Sequence, residues 1–125
     1  MKTTLHKRIL VIDDDLVVRR LLTAALSPTY DVITLPSGEN AGLLFENIEP
    51  DLVILDIRLP VISGYDIARS IRRRPSGQNT PLMFLSGHFK EVPLIHEMEA
   101  TRTCHMAKPF DVSELRHRVA TLVQS

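Results

Sequence analysis

Short apolar runs alternate along the chain with longer segments in which apolar residues recur every three or four positions. The runs are rich in Val and Ile and end in charged or turn residues, as strands buried on both faces of a parallel sheet do. They predict strands at residues 8–13, 30–35, 51–56, 81–86 and 103–107. The longer segments predict helices that pack one apolar face against this sheet.

The predicted helices also carry recognisable ends. Ser63 is placed to cap the third helix, and Asp111 opens a capping box ahead of the last one. Proline is tolerated in the first turn of a helix, so Pro93 predicts a short fourth helix that runs to about Ala100. The apolar faces consist of Val18, Leu21, Leu22, Ala25 and Leu26 in the first helix, Ala41, Leu44 and Ile48 in the second, Ile67 and Ile71 in the third, and Leu115, Val119 and Leu122 in the last.

Five strands that alternate with five helices predict an α/β fold with a doubly wound (βα)5 sheet. The reason is that parallel neighbours need helical crossovers, which cover both faces of the sheet. A chain of 125 residues with 44% hydrophobic and 24% charged residues is typical of a globular domain and is too short for two separate cores. We therefore expect one domain over residues 1–125, with its core at about 8–123.

The charge balance excludes several classes of partner. The 15 basic residues equal the 15 acidic ones, which gives no electrostatic basis for direct binding of nucleic acid or of a membrane surface. The longest apolar runs are far shorter than the roughly 20 residues that span a bilayer, and no signal-peptide core follows the basic first residues. The single cysteine, Cys104, excludes an intramolecular disulfide. These features predict a cytoplasmic protein.

Polar side chains follow the predicted strands at the edge where open parallel sheets bind ligands, beyond their carboxyl ends. Asp13 and Asp14 end the first strand, Asp56 ends the third, Ser86 ends the fourth, and Lys108 follows the fifth. Helix capping or turn formation explains any one of these residues alone. Their coincidence at four strand ends indicates that the five side chains meet at one site.

The acidic residues among them require a cation. Three carboxylates gathered within ~4 Å of one another repel by about 4 kcal/mol per pair. Lys108 alone does not offset that repulsion, whereas Mg²⁺ suits a site of carboxylates and water with room for a phosphate oxygen. The third aspartate of the first run, Asp15, is predicted to cap the first helix, which leaves Asp13 and Asp14 for the cation.

Four segments of the chain form a recognisable set: residues 9–15 (ILVIDDD), residues 51–56 (DLVILD) followed by Leu59-Pro60 and Gly64, residues 81–86, and Lys108-Pro109-Phe110. Through these segments, nearly the whole chain resembles the receiver domain of bacterial two-component response regulators. Their order and spacing together make the match specific. The resemblance implies a flavodoxin-like three-layer sandwich and a cis peptide bond between Lys108 and Pro109.

The resemblance also implies a function. A histidine kinase or a histidine phosphotransfer protein would deliver a phosphoryl group to the carboxylate of Asp56 in a Mg²⁺-dependent reaction. By the pattern of the family, Asp14 and Asp56 bind Mg²⁺ directly, Asp13 acts through water, and the backbone carbonyl of Arg58 is a further ligand. Ser86 and Lys108 would hold the phosphoryl oxygens. The protein is then a phosphorylated signalling domain and not an enzyme, although it assists its own phosphotransfer and dephosphorylation.

Further residues are implied to transmit the signal and to set its lifetime. In the family, Ser86 moves inward and an aromatic residue three positions before the lysine rotates, which alters the face of the fourth helix, fifth strand and fifth helix. That position is His105 here, and a switch role and simple exposure both stay open. Arg58 and His88 occupy the positions that tune the lifetime. For Arg58, two roles stay open: it screens the phosphoryl group from water, or it is a solvent-exposed arginine that contacts the kinase. Thr101-Arg102 replaces the usual Gly-Ala, so analogy leaves the output partner unknown.

Two alternative functions use some of the same residues. A haloacid-dehalogenase-like, Mg²⁺-dependent phosphohydrolase also has an aspartate nucleophile, and Asp13-Asp14-Asp15 contains its Asp-x-Asp pair. Leu16-Val17 stands where that family has Gly-Thr, however, and Asp56 would have no role. A receiver-like adaptor that is not phosphorylated usually lacks an acidic or lysine position, and here all five positions are present.

Overall fold

The computed structural model describes residues 6–87 and 102–124, which contain five parallel strands in one sheet of order β2-β1-β3-β4-β5. The strands are β1 (Arg8–Ile12), β2 (Asp31–Leu35), β3 (Leu52–Asp56), β4 (Leu82–Ser86) and β5 (Thr103–Ala107). The helices are α1 (Leu16–Leu26), α2 (Ala41–Ile48), α3 (Gly64–Arg73) and a C-terminal helix (Val112–Gln124), and a 3₁₀ turn spans Pro75–Gly77. The predicted doubly wound α/β fold is confirmed.

The predicted strands are confirmed, and four of them are one residue shorter in the structure than in the prediction. Residues just outside the strands still extend the backbone ladder. The N–H of Asp13 donates to the carbonyl of Leu35 at 3.1 Å, and the N–H of Asp51 donates to the carbonyl of Arg8 at 2.8 Å. The apolar runs therefore located the sheet correctly, and only the point at which strand pairing ends differs.

The sheet separates two apolar cores, because successive strand residues point to opposite faces. All five residues of β3 are buried, as are all five of β4. α2 and α3 cover one face, where the rings of Tyr65 and Phe84 lie 5.2 Å apart. α1 and the C-terminal helix cover the other face. This is the three-layer arrangement that central strands without polar alternation require.

The predicted apolar helix faces are correct apart from two positions. Leu21 of α1 is 41% exposed, whereas Leu22 and Leu26 are fully buried. In α2 the residue buried in the middle of the helix is Phe45, and its neighbour Leu44 is only half-buried. Neighbouring residues differ by only 100° around a helix, so a small rotation of the helix about its axis decides which of two adjacent apolar residues faces the sheet.

The predicted caps are confirmed at three helices. Asp15 Oδ1 accepts a hydrogen bond from Val17 N at 2.9 Å at the start of α1. Ser63 Oγ accepts from Asp66 N at 3.2 Å at the start of α3. Asp111 Oδ2 accepts from Glu114 N at 2.8 Å ahead of the C-terminal helix. These side chains satisfy N–H groups that the first turn of a helix leaves without a backbone partner.

Two further expectations concern the connections. The peptide bond between Lys108 and Pro109 is cis, as the resemblance implied. The predicted fourth helix at 93–100 lies outside the described residues. In the described part of the chain, no helix combines the length and the apolar character needed to cross a membrane.

Gly64, the first residue of α3, lies against the backbone at the end of β3. A Cβ at this position would collide with the carbonyl oxygen of Asp56 and would come within 2.9 Å of the Cα of Ile57. The N–H of Gly64 also donates to the carbonyl of Ile57 at 2.9 Å. Because both neighbours are backbone atoms, they cannot move aside without shifting the strand end.

We expect Gly64→Ala to lower the free energy of unfolding by about 2–3 kcal/mol, the cost of overpacking a tight backbone contact. Urea denaturation measures this change. Gly87→Ala is the matched control, because a Cβ at Gly87 meets nothing within 4 Å in the part of the chain that the structure describes. It should alter the free energy of unfolding by less than about 0.5 kcal/mol. Equal effects of the two substitutions would contradict the close approach of α3 to β3.

Candidate functional site

Three aspartates meet at the carboxyl edge of the sheet, beside the point where the strand order reverses. Asp13 and Asp14 directly follow β1, and Asp56 is the last residue of β3. β1 and β3 are hydrogen-bonded neighbours, with Ile12 paired to Leu55, so both strands end side by side. One carboxylate oxygen from each aspartate lies within 4.8 Å of the other two. Strand pairing thus brings together residues 43 positions apart in the chain.

Lys108 supplies a positive charge to this acidic pocket. Its Nζ lies 2.9 Å from Asp13 Oδ2 and 3.5 Å from Asp56 Oδ1. Its backbone N–H donates to the carbonyl of Ser86 at 2.8 Å, which anchors the lysine to the end of β4. Residues predicted from four different strand ends therefore lie at one edge of the sheet.

Every polar atom of Asp13 forms a hydrogen bond. The residue is fully buried. Its N–H donates to Leu35 O at 3.1 Å, and its carbonyl oxygen accepts from Arg19 Nη1 at 2.8 Å. Its Oδ1 accepts from Asp15 N at 2.9 Å and its Oδ2 accepts from Lys108 Nζ at 2.9 Å. These contacts make Asp13 a fixed negative charge at the base of the pocket.

Asp14 and Asp56 differ from Asp13 because each keeps carboxylate oxygens open. Asp56 is 7% exposed, and its Oδ1 accepts from Arg58 N at 3.2 Å and pairs with Lys108. Among residues 6–87 and 102–124, Asp56 Oδ2 accepts no hydrogen bond. The carboxylate of Asp14 is exposed and likewise accepts none there. Open oxygens are what a metal ion or a reacting group requires.

Burial and charge shift two pKa values in the pocket. Burial raises the pKa of Asp56 from 3.8 to about 6, and the negative charge of Asp13 adds to the rise while Lys108 opposes it. Burial alone would lower the pKa of Lys108, but its hydrogen bond to Asp13 and the charges of Asp13 and Asp56 outweigh burial and raise that pKa. Lys108 is therefore charged at neutral pH, and its charge does not cancel the repulsion that Asp56 feels.

The donor set fits a hard divalent cation. All three candidate ligands are carboxylates, which suit Mg²⁺ and other oxygen-binding cations. A separation of at most 4.8 Å allows one small ion to be held by some of these oxygens directly and by others through water. A cavity of about 590 Å³ adjoins Asp14, and its other lining residues are Ile57, Arg58, Leu59, Pro60, Ser63 and Tyr65. The open side of the pocket has room for a small phosphate compound.

Of the other predicted residues, two lie on β4 and β5 and one lies outside the described residues. Ser86 is 2% exposed at the end of β4. His105 is half-buried on β5 and pairs with Phe84 of β4. Ser86 pairs with Ala107, which lies two residues after His105 on β5. His88 lies outside the described residues. Sequence reasoning missed Arg19, whose only signal was its position four residues after the helix cap.

Comparison with known proteins agrees with the geometry of the site. Residues 9–120 match the family described as the response regulator receiver domain. A probable transcriptional regulator, ycf27, of Cyanophora paradoxa is 32% identical over 119 residues, which cover 94% of this chain and 48% of that protein. A sensor histidine kinase, TmoS, of Ectopseudomonas mendocina is 31% identical over 93% of this chain and 12% of its own length. The chain thus spans half or less of these curated relatives.

Solved structures show the same fold and a related site. A putative response regulator from Chloroflexus aurantiacus is 30% identical and superposes with a TM-score of 0.86, covering 96% of this chain and 99% of that one. The receiver domain of a sensor histidine kinase from Pseudomonas aeruginosa is 28% identical, with a TM-score of 0.83 over 96% of this chain and 99% of that one. That structure holds a magnesium ion in its active-site cleft. This chain belongs to the family of response regulator receiver domains.

Proposed function

We propose that this protein is a phospho-acceptor signalling domain that takes a phosphoryl group onto Asp56 from a phosphohistidine in a Mg²⁺-dependent reaction. The partner is a histidine kinase or a histidine phosphotransfer protein. The observation that carries the proposal is the meeting of Asp13, Asp14 and Asp56 within 4.8 Å, with the ammonium of Lys108 against two of them. Membership in the receiver family supports the same assignment.

Asp56 is proposed as the nucleophile because its Oδ2 is open and because burial and the charge of Asp13 destabilise its ionised carboxylate. Oδ2 would form the new bond to phosphorus while the bond from phosphorus to the donor imidazole nitrogen breaks. Phosphoryl transfer depends mainly on alignment and on charge stabilisation. Mg²⁺, held by Asp13, Asp14, Asp56 and the Arg58 carbonyl, would supply that stabilisation when bound. The Lys108 ammonium would hold a phosphoryl oxygen from the opposite side.

The response to phosphorylation is proposed to begin at Ser86. An aspartyl phosphate carries nearly two negative charges and three strong acceptor oxygens, which attract the Ser86 hydroxyl. Movement of Ser86 opens space beside β5, where His105 would respond and change the surface of β5 and the C-terminal helix. The chain is proposed to act in the cytoplasm, with an output partner that its own residues do not identify.

We expect incubation with Mg²⁺ and acetyl phosphate to give a hydroxylamine-labile adduct with the mass of one phosphoryl group. Removal of Mg²⁺ with a chelator and the Asp56→Asn substitution should each abolish it. Asp66→Asn is the matched control, because Asp66 is an exposed carboxylate on α3 that pairs with Arg69. Intact-protein mass spectrometry measures the adduct. An adduct that persists in Asp56→Asn refutes the acceptor assignment, and steady turnover of generic phosphomonoesters favours a phosphohydrolase.

We expect Asp56→Asn to stabilise the metal-free protein at pH 7.5 by about 3 kcal/mol, because a pKa shift of one unit corresponds to about 1.4 kcal/mol. The pKa of Asp56 rises from 3.8 in the unfolded chain to about 6 in the folded one. Its contribution to stability is therefore complete below about pH 4 and is lost as the pH rises through about 6. Urea denaturation in a chelator from pH 4 to pH 8 measures the difference.

Addition of Mg²⁺ provides the control for this prediction. Bound cation neutralises the carboxylates, so the wild-type protein should gain more stability from Mg²⁺ than Asp56→Asn does. If the wild-type protein is as stable as Asp56→Asn at pH 7.5 without metal, ionised Asp56 does not destabilise the fold.

We expect Arg58→Ala to shorten the lifetime of the phosphoryl group several-fold, because the exposed Arg58 side chain stands at the mouth of the cavity beside Asp14. Loss of this side chain admits water to the acyl phosphate. Decay of the phosphorylated protein, followed by mass spectrometry, gives the rate. Arg73→Ala removes an exposed arginine at the end of α3 and should leave the rate unchanged. The proposal for Arg58 fails if the two variants decay alike.

A further inference from the structure

Arg19 of α1 contacts the acidic pocket through the main chain. Its Nη1 donates to the carbonyl oxygen of Asp13 at 2.8 Å. Its own backbone N–H donates to the carbonyl of Asp15 at 3.0 Å in the first turn of the helix, and its side chain reaches back over that turn to Asp13. Within the described ranges, the guanidinium forms no ion pair with any carboxylate. Arg19 therefore ties the end of β1 to α1 without occupying the oxygens that a cation would use.

The carbonyl held by Arg19 belongs to the peptide unit that joins Asp13 to Asp14. A peptide unit is planar, so a hydrogen bond that orients its carbonyl also sets the direction in which Asp14 leaves the strand. The carboxylate of Asp14 is exposed and accepts no hydrogen bond from the part of the chain that the structure describes. The direction of this carboxylate thus depends on the backbone that Arg19 holds.

We propose that Arg19 is a positioning residue for the metal site. It fixes the Asp13–Asp14 peptide so that the carboxylate of Asp14 stays beside that of Asp56, where both can hold one divalent cation. This inference rests on the proposed function, since it takes Mg²⁺ as that cation. Groups that orient the ligands of a metal affect its affinity although they do not touch it.

Charge and positioning give opposite signs when Arg19 is removed. The guanidinium is positive and repels a cation, so loss of its charge alone would tighten Mg²⁺ binding. Loss of its hydrogen bond frees the Asp13–Asp14 peptide and disorders a ligand, which weakens Mg²⁺ binding. The direction of the change in affinity therefore separates the two effects without any assumption about their size.

The test compares the Mg²⁺ affinities of Arg19→Met and Arg20→Met by isothermal titration calorimetry under conditions where each protein is folded. Arg20 is the next residue of α1 and is exposed, and among residues 6–87 and 102–124 it forms no hydrogen bond or ion pair with the pocket. Its substitution therefore removes the same charge without removing such a contact. We expect Arg19→Met to bind Mg²⁺ about tenfold more weakly than the wild type. Arg20→Met should bind equally or slightly more tightly. Arg19→Lys, which keeps a charged donor, should recover part of the affinity.

A second readout uses the metal-free protein. The amide ¹⁵N resonance of Asp14 should shift in Arg19→Met and stay in place in Arg20→Met, because only the former frees the peptide. A purely structural role would lower the free energy of unfolding while leaving both this resonance and the Mg²⁺ affinity unchanged, and it would overturn the inference. Equal or tighter binding by Arg19→Met would overturn it too. Failure of the wild type itself to bind Mg²⁺ would instead overturn the proposed function.

Discussion

Repulsion among carboxylates at one edge of the sheet is the constraint on which the rest of the site depends. Asp13 is fully buried and Asp56 is 7% exposed, and a buried charge without a partner is costly. Among the described residues, Lys108 is the cation that contacts both Asp13 and Asp56. One positive charge against three carboxylates leaves an excess of negative charge. Burial, together with that excess, raises the pKa of Asp56 to about 6. The excess also favours a bound cation.

The fold maintains this unfavourable cluster through groups that lie outside it. β1 and β3 pair in the centre of the sheet, and all of β3 is buried between two helical layers. The strand ends therefore cannot separate without exposing both apolar cores. Lys108 is fixed by the carbonyl of Ser86 on β4, and Asp13 is fixed by Leu35 at the end of β2 and by Arg19 on α1. Apolar burial supplies the stability that permits the acidic pocket to exist.

The strands and the acidic residues at their ends could be predicted from the sequence, because the sequence signals for both are local. Apolar runs mark the strands, and the polar residues that end them must share an edge once the strands are parallel. The cap preference of Asp15 likewise separated it from Asp13 and Asp14. The failures depend on tertiary geometry, because the rotation of α1 and α2 about their own axes decided the exposure of Leu21 and the burial of Phe45. The spacing of apolar residues along the chain also carries no information on how close the Arg19 side chain lies to the carbonyl oxygen of Asp13.

Both carboxylate oxygens of Asp13 accept hydrogen bonds, whereas Asp56 Oδ2 accepts none from the described residues. This difference sets the direction in which a phosphorylation signal would travel. Asp13 is bonded at every polar atom to β2, α1, the turn after β1 and Lys108, so displacing it would break several contacts at once. Phosphorylation of Asp56 would add about one negative charge beside Asp13. The groups able to answer that charge are the Lys108 ammonium and the Ser86 hydroxyl, which belong to the ends of β5 and β4. Because several contacts hold the end of β1, while the donors that face the new charge belong to β4 and β5, the structural change should spread toward the β5 edge of the sheet.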